Sequence, residues 1–128
     1  MIVDSSAVIA VVFREPGFEL LVEKLAVGDP PGMGAPTLAE TAIVLSARLR
    51  RDARGLLARF VQEAGISIVP FGEAHCSTAV DAWLRFGRGR HPAALNLGDC
   101  LAYATAKLSA RPLLCVGEDF ARTDLELV

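Results

Sequence analysis

Two spacings of apolar residues alternate along this chain: short unbroken runs that suit a buried strand, and longer stretches whose apolar positions return every three or four residues, as on one face of a helix. Met1-Ile2-Val3 reads as a short strand, and Ser5 to Phe13 as a helix whose first turn Ser5 or Ser6 is placed to cap. Glu15-Pro16-Gly17 breaks the pattern. Leu20, Leu21 and Leu25 among charged neighbours then give an amphipathic helix ending at Gly28, and Gly28-Asp29-Pro30-Pro31-Gly32 reads as a loop. Thr37 to about Arg51 and Ala53 to about Ala64 form a helical hairpin, the second helix carrying Leu56, Leu57, Phe60 and Val61 on its apolar face. Ile66-Ser67-Ile68-Val69-Pro70 alternates like a strand, and helical spacing resumes from Glu73 to Phe86. Gly87 to Pro92 is an open loop, a helix runs from about Gly98 to Ser109, and Pro112 to Val116 is a last apolar strand stopping at Gly117. The tail Leu125-Glu126-Leu127-Val128 is placed to add an edge strand.

Strands alternating with helices at this spacing predict an α/β fold: a central, mostly parallel sheet covered by helices on both faces. With 128 residues the chain fits one domain, 1–128, large enough for a core without disulfides or a structural metal. The composition is 52% hydrophobic and mean hydropathy is +0.41, so part of the surface is expected to lie under another chain, as a homo-oligomer or a bound partner. Cys76, Cys100 and Cys115 form no CxxC pair and sit in apolar stretches, where a thiol behaves as a small hydrophobe and suits a reducing cytosol. The longest apolar run, Ala7 to Phe13, is far too short to span a bilayer, and Asp4 interrupts any signal-peptide core, so a cytoplasmic protein is expected. Net charge is −2, against a protein that holds nucleic acid by overall positive charge, but the cations are clustered. Arg48, Arg50, Arg51, Arg54 and Arg59 fall in one stretch and Arg85, Arg88 and Arg90 in another, as either solvated helix faces or phosphate contacts.

Four carboxylates, Asp4, Glu40, Asp99 and Asp119, lie where a predicted strand ends or a predicted helix begins, and such positions meet at one edge of an α/β sheet. Acids that converge repel one another unless a cation joins them, and a hard divalent ion with oxygen ligands is the usual solution. Each acid also has a plain structural role open to it. Thr37-Leu38-Ala39-Glu40 matches a capping box, Asn96-Leu97-Gly98-Asp99 repeats the same offset, and Asp119 fits a turn. Asp4 is harder to explain that way, because a carboxylate ending an apolar strand is desolvated unless a charge faces it. Phosphoaspartate chemistry is disfavoured: the second acid of strand-end aspartate phosphatases is here Ser6, and Lys24 and Lys107 both fall inside helices. P-loop, GxGxxG and GxSxG patterns are absent, and His75 and His91 lack metal-ligand spacing, reading as a helix-surface residue and a solvent-facing one.

These residues resemble the PIN-domain ribonucleases, specifically the VapC-type toxins of bacterial toxin–antitoxin pairs. The likeness is carried by Met1-Ile2-Val3-Asp4-Ser5-Ser6-Ala7, by Glu40 after Ala35-Pro36-Thr37-Leu38-Ala39, by Gly89 to Cys100, and by Gly117 to Asp124, in order across essentially the whole chain. The resemblance implies a PIN-like fold and a Mg²⁺-dependent endoribonuclease, with Mn²⁺ as the other candidate ion. It further implies a homodimer inhibited by a VapB-type antitoxin. By position, Asp4, Glu40, Asp99 and Asp119 would form the acidic metal pocket, Ser6 would orient Asp4 or a metal-bound water through its hydroxyl, Asn96 would position the Asp99 loop, and Asp124 would stand further out. The ions would activate water and neutralise the leaving oxygen, leaving 5′-phosphate and 3′-hydroxyl ends. RNA would approach over Arg85, Arg88 and Arg90. Val116 departs from the pattern, since many relatives place a lysine there.

A reading from another class is a non-catalytic interaction module whose acids dock a basic partner residue. It predicts that Asp99→Asn weakens partner binding while nuclease activity is never seen.

Overall fold

The computed structural model describes all 128 residues. Its sheet is built around β1 (Ile2–Val3), which has parallel neighbours on both sides: β2 (Gly32–Gly34), with Ile2 opposite Gly32, and β4 (Leu113–Leu114), with Ile2 opposite Leu113. Outside β2 lies β3 (Ser67–Val69), also parallel, so the order is β3-β2-β1-β4. The expected tail strand is present as a bridge from Leu127 to Leu113, with Val128 N–H donating to Leu113 O at 3.0 Å.

Each crossover between parallel strands is a pair of helices, as parallel pairing requires a long connection. Helices α1 (Ser5–Val12) and α2 (Phe18–Ala26) join β1 to β2, and α3 (Ala35–Leu49) and α4 (Arg54–Glu63) join β2 to β3. The third pair, α5 (Glu73–Phe86) and α6 (Leu97–Ser109), joins β3 to β4. The strand period of two divides the core. Ile2 and Leu113 face a cluster with Ala82, Phe86, Cys100 and Tyr103, whereas their neighbours Val3 and Leu114 face one with Ala7, Val8, Met33 and Leu45. Both faces of the sheet are therefore buried, as expected for an all-parallel sheet. No helix is long and apolar enough to cross a membrane.

Several expectations change. A strand, β2, runs through Gly32-Met33-Gly34 where the sequence reads as a loop ending at Gly32. Gly34 is needed there, because a Cβ would stand 2.5 Å from Thr105 Oγ1 on α6. The cap of α1 is Asp4, accepting Ser6 N–H at 3.1 Å, rather than Ser5 or Ser6. Helix α3 begins at Ala35 with Pro36 in its first turn, so Thr37 is already inside the helix and makes no capping box with Glu40. Cys76 is exposed rather than packed as a hydrophobe. His75 accepts Gly72 N–H at 3.1 Å, as a satisfied surface residue should, but His91 is half-buried, edge-on to Phe86 at 5.2 Å, rather than open to solvent.

Candidate active site

Because the strands are parallel, their carboxyl ends share one edge, and that edge is where β1 hands over to α1 and β2 to α3. Asp4 sits at the first junction, 4% exposed. Its Oδ2 accepts Ser6 N–H at 3.1 Å and the Ser6 hydroxyl at 2.6 Å, and the backbone N–H of Ser5 also favours its ionised form. The first turn of α6 arrives at the same edge. Asn96 caps it by accepting Asp99 N–H at 2.9 Å, and Asp99 Oδ2 accepts Asn96 N–H at 3.0 Å, so the expected capping box is present. That box also fixes the Asp99 carboxylate and leaves its Oδ1 free.

Glu40 approaches the same turn. A Cβ on Gly98 would overlap the Glu40 carboxylate, so only glycine admits this approach without a shift. Gly98 is a site residue that its own sequence context did not single out; its adjacency to Asp99 in the first turn of a helix was the available signal. Asp119 lies beyond β4, exposed, at the start of a 3₁₀ turn (Phe120–Arg122).

The electrostatics show that these acids feel one another. Burial raises the pKa of Asp4 above its ordinary value, with the Ser6 contacts opposing. Burial also raises Glu40, helped by repulsion from Asp4 and opposed by the Ser5 hydroxyl. Asp99 is pushed up to about 6, first by burial and then by Asp4, Asp119 and Glu40, against the Asn96 hydrogen bond. No lysine or arginine figures among the groups that set these three acids. The neighbouring Cys115 thiol is pushed up to about 11, first by burial and then by Asp4 and Asp99, so it is not a nucleophile.

The donor set fits a hard cation: carboxylates from separate segments, partly desolvated, mutually repulsive and without a compensating charge. As arranged, no three of them close around a single point. The Oδ1 atoms of Asp4 and Asp99, which the Ser6 and Asn96 hydrogen bonds leave aside, are the ones placed to complete a ligand set, with water filling the rest.

Other expected site residues separate from this group. Asp124 accepts the Tyr103 hydroxyl at 2.7 Å and Lys107 Nζ at 2.8 Å, with Arg85 at 3.5 Å, tying the tail to the later turns of α6. Arg90 lies over Trp83 at 4.9 Å and donates from Nε to Leu84 O at 3.1 Å. Arg88 holds the loop through its backbone, N–H to Leu95 O at 3.0 Å. In the earlier arginine stretch, Arg48 pairs with Glu15, Arg54 with Asp52 and Arg59 with Glu63, which favours solvated faces there.

The architecture and the acidic edge together mark a PIN-type α/β domain. The PIN domain profile matches residues 1–126. Ribonuclease VapC36 of Mycobacterium tuberculosis is 50% identical over 127 residues, spanning 98% of this chain and 91% of that protein. Among solved structures, Mycobacterium tuberculosis VapC20, a sarcin-ricin loop cleaving toxin, superposes with a TM-score of 0.78 at 15% identity, over 99% of this chain and 97% of that one. VapBC2 from Rickettsia felis, bound to a DNA fragment of its promoter, gives 0.74 at 15% identity over 99% and 96%. The chain belongs to the PIN-domain family and, within it, to the VapC ribonucleases.

Proposed function

We propose that residues 1–128 act as one domain, a metal-dependent endoribonuclease that is the toxin of a toxin–antitoxin pair and hydrolyses RNA phosphodiester bonds at the acidic edge. The observation that carries this reading is that Asp4 is buried, that Glu40 and Asp99 stand half-buried and close enough for Asp4 to raise both, and that no cation of the protein figures among the groups acting on them. Asp4 and Asp99 would hold Mg²⁺ or Mn²⁺ through their Oδ1 atoms, with Glu40 and Asp119 completing the set directly or through water. A divalent ion held there would activate water for attack on phosphorus and neutralise charge on the leaving oxygen.

The protein's own part is to hold these groups in place. Ser6 fixes the Asp4 carboxylate, Asn96 fixes Asp99, and Gly98 makes room for Glu40. The arginines Arg85, Arg88 and Arg90 would meet the phosphate backbone, Arg88 more freely than Arg85, which Asp124 already engages, or Arg90, which rests on Trp83 and donates to Leu84 O.

The structural neighbour from Rickettsia felis supports a VapB-type antitoxin as partner. So does an apolar hollow of about 380 Å³ between α1, α2 and α4, lined by residues including Val11, Val22, Leu25 and Phe60. A homodimer is proposed because large apolar side chains such as Ile43, Val80 and Leu84 stand exposed. Three unbridged cysteines suit work in the cytoplasm.

The test is cleavage of total cellular RNA by the antitoxin-free protein with Mg²⁺ or Mn²⁺, beside EDTA and Asp4→Asn controls. Metal-dependent cutting that the variant loses supports the reading. A folded protein that cuts nothing, yet whose partner binding weakens with Asp99→Asn, replaces it with the docking module.

A further inference from the structure

Leu97 opens α6 two residues before Asp99 and stands 75% exposed, with a hollow on either side of it. The first, of about 320 Å³, is lined by Val80 and Trp83 of α5 and by Cys100. The second, of about 300 Å³, lies against Ile43 and Glu40 of α3, next to the acidic edge. Leu97 is common to both. On the Trp83 side, the Arg90 guanidinium lies over the indole at 4.9 Å and its Nε donates to Leu84 O at 3.1 Å. That arginine has no acidic partner in its own chain, and it does not figure among the groups that set Asp4, Glu40 or Asp99.

A two-fold dimer joins one patch to itself, so the patch must carry its own complement. Here a protruding leucine stands between two hollows of nearly equal volume, with an unpaired cation beside one and a carboxylate in the other. About an axis beside Leu97, a second copy lays its Trp83 flank over the Glu40 flank of the first, and each Leu97 enters a hollow of the other. An axis through either flank would instead set Arg90 against Arg90 or Glu40 against Glu40, and like charges oppose both. The pairing covers Ile43, Val80, Trp83 and Leu97, large apolar side chains at least 43% exposed in the single chain. It also leaves Arg90 on Trp83 as it stands, so little ordering is left to do.

We propose that the ribonuclease is a two-fold dimer in which the partner's Arg90 completes each acidic edge, standing beside Glu40 and meeting the phosphate presented to Asp4 and Asp99. This rests on the ribonuclease and homodimer readings above. Arg90 thus touches RNA held by the other copy's acids and none held by its own.

The test is subunit mixing, with full-length chains carrying two different affinity tags, each dimer checked by gel filtration and assayed on total cellular RNA with Mg²⁺. The Asp4→Asn dimer cuts nothing. The Arg90→Ala dimer cuts about a hundredfold more slowly than the native one, as loss of a preorganised donor to the reacting phosphate requires. A heterodimer of Asp4→Asn and Arg90→Ala chains keeps one complete site, Asp4 from one copy and Arg90 from the other, and recovers about half the native rate. A heterodimer of the native chain with the double variant Asp4→Asn, Arg90→Ala cuts no faster than the Arg90→Ala dimer, because its only intact acids face the altered arginine.

The reverse pattern, a mixed dimer that stays slow and a native pairing that is half active, returns Arg90 to its own acids and overturns the proposal while leaving the ribonuclease reading intact. So does an Arg90→Ala dimer of full activity, or a native chain that cuts RNA as a monomer. A native dimer that cuts nothing removes the ribonuclease reading and the proposal with it. If Arg90→Ala fails to fold or to pair, Arg90→Gln, which keeps its stem over the indole, decides the question.

Discussion

The Ser6 hydroxyl donates to Asp4 Oδ2 at 2.6 Å and accepts the Val116 N–H at 3.0 Å, so one side chain joins the first strand's carboxylate to the end of the last strand. This hydrogen bond favours the ionised form of an acid that burial pushes the other way. Ser6→Ala removes the donor from Asp4 and leaves Val116 N–H without its acceptor. The expected result is a stability loss of about 1 kcal/mol and a pH profile of cleavage shifted upward, because Asp4 then needs higher pH to ionise. Ser6→Thr should restore the profile. A Ser6→Ala enzyme with an unshifted profile would show that the hydroxyl does not tune Asp4.

Asp99 makes a separate pH prediction. Its folded pKa is about 6, above the ordinary aspartate value, so in the ion-free protein ionising it is unfavourable. The native state then holds more protons than the unfolded state between the ordinary value and about 6, and this group's contribution to stability falls as pH rises through that window. Asp99→Asn should raise the ion-free melting temperature by a few degrees at neutral pH while abolishing cleavage. Mn²⁺ affinity, read by calorimetry, should decline as pH drops below about 6, since the ion and the proton compete for one carboxylate. Affinity that stays flat from pH 7 to 5 would remove Asp99 from the ligand set.

Gly98→Ala tests the approach of Glu40. The new methyl group would overlap the Glu40 carboxylate, the mobile end of a flexible side chain, so the helix keeps its place and Glu40 turns away. Alanine also favours the helix by about 1 kcal/mol over glycine. Melting temperature should therefore hold or rise while kcat/KM falls about tenfold, a loss of roughly 1.4 kcal/mol of transition-state stabilisation. Full activity would mean that Glu40 acts from elsewhere or not at all.

The helices and three of the four strands were legible because their apolar spacing is long or unbroken. Glu73 to Phe86 was read to the residue. Strand β2 was hidden because Gly32-Met33-Gly34 has one side chain and two residues of low strand propensity; its place is dictated by close packing against Thr105, a contact far away in sequence. The acids were legible as helix-start positions, but their local roles were assigned partly to the wrong residues. Pro36 moved the start of α3 upstream of Thr37, leaving the Thr37 hydroxyl buried without a partner, and the acid itself caps α1. Which acids meet was not legible from any one segment, because β1, α3 and α6 come together only through the parallel order of the sheet.

Asp124 provides the contrast to the acids at the edge. Burial pushes its carboxyl up, but Lys107, the Tyr103 hydroxyl and Arg85 outweigh that and hold it at about 2. Tyr103 responds in the opposite sense: burial first, and then Asp124, push the phenol up to about 12. For Asp124 the folded pKa is depressed, so its stabilising contribution is present above the ordinary aspartate value and is lost as pH falls from about 4 towards 2. One third of the side chain is exposed, so solvent screens the two ion pairs and the hydrogen bonds dominate. Asp124→Asn should cost about 1 kcal/mol, steepen less on acidification than the parent, and leave cleavage per folded molecule within about twofold. The measurement is urea unfolding at pH 7 and pH 3 beside RNA cleavage at pH 7. A variant as stable as the parent but catalytically dead would move Asp124 from anchoring the tail to serving the acidic edge.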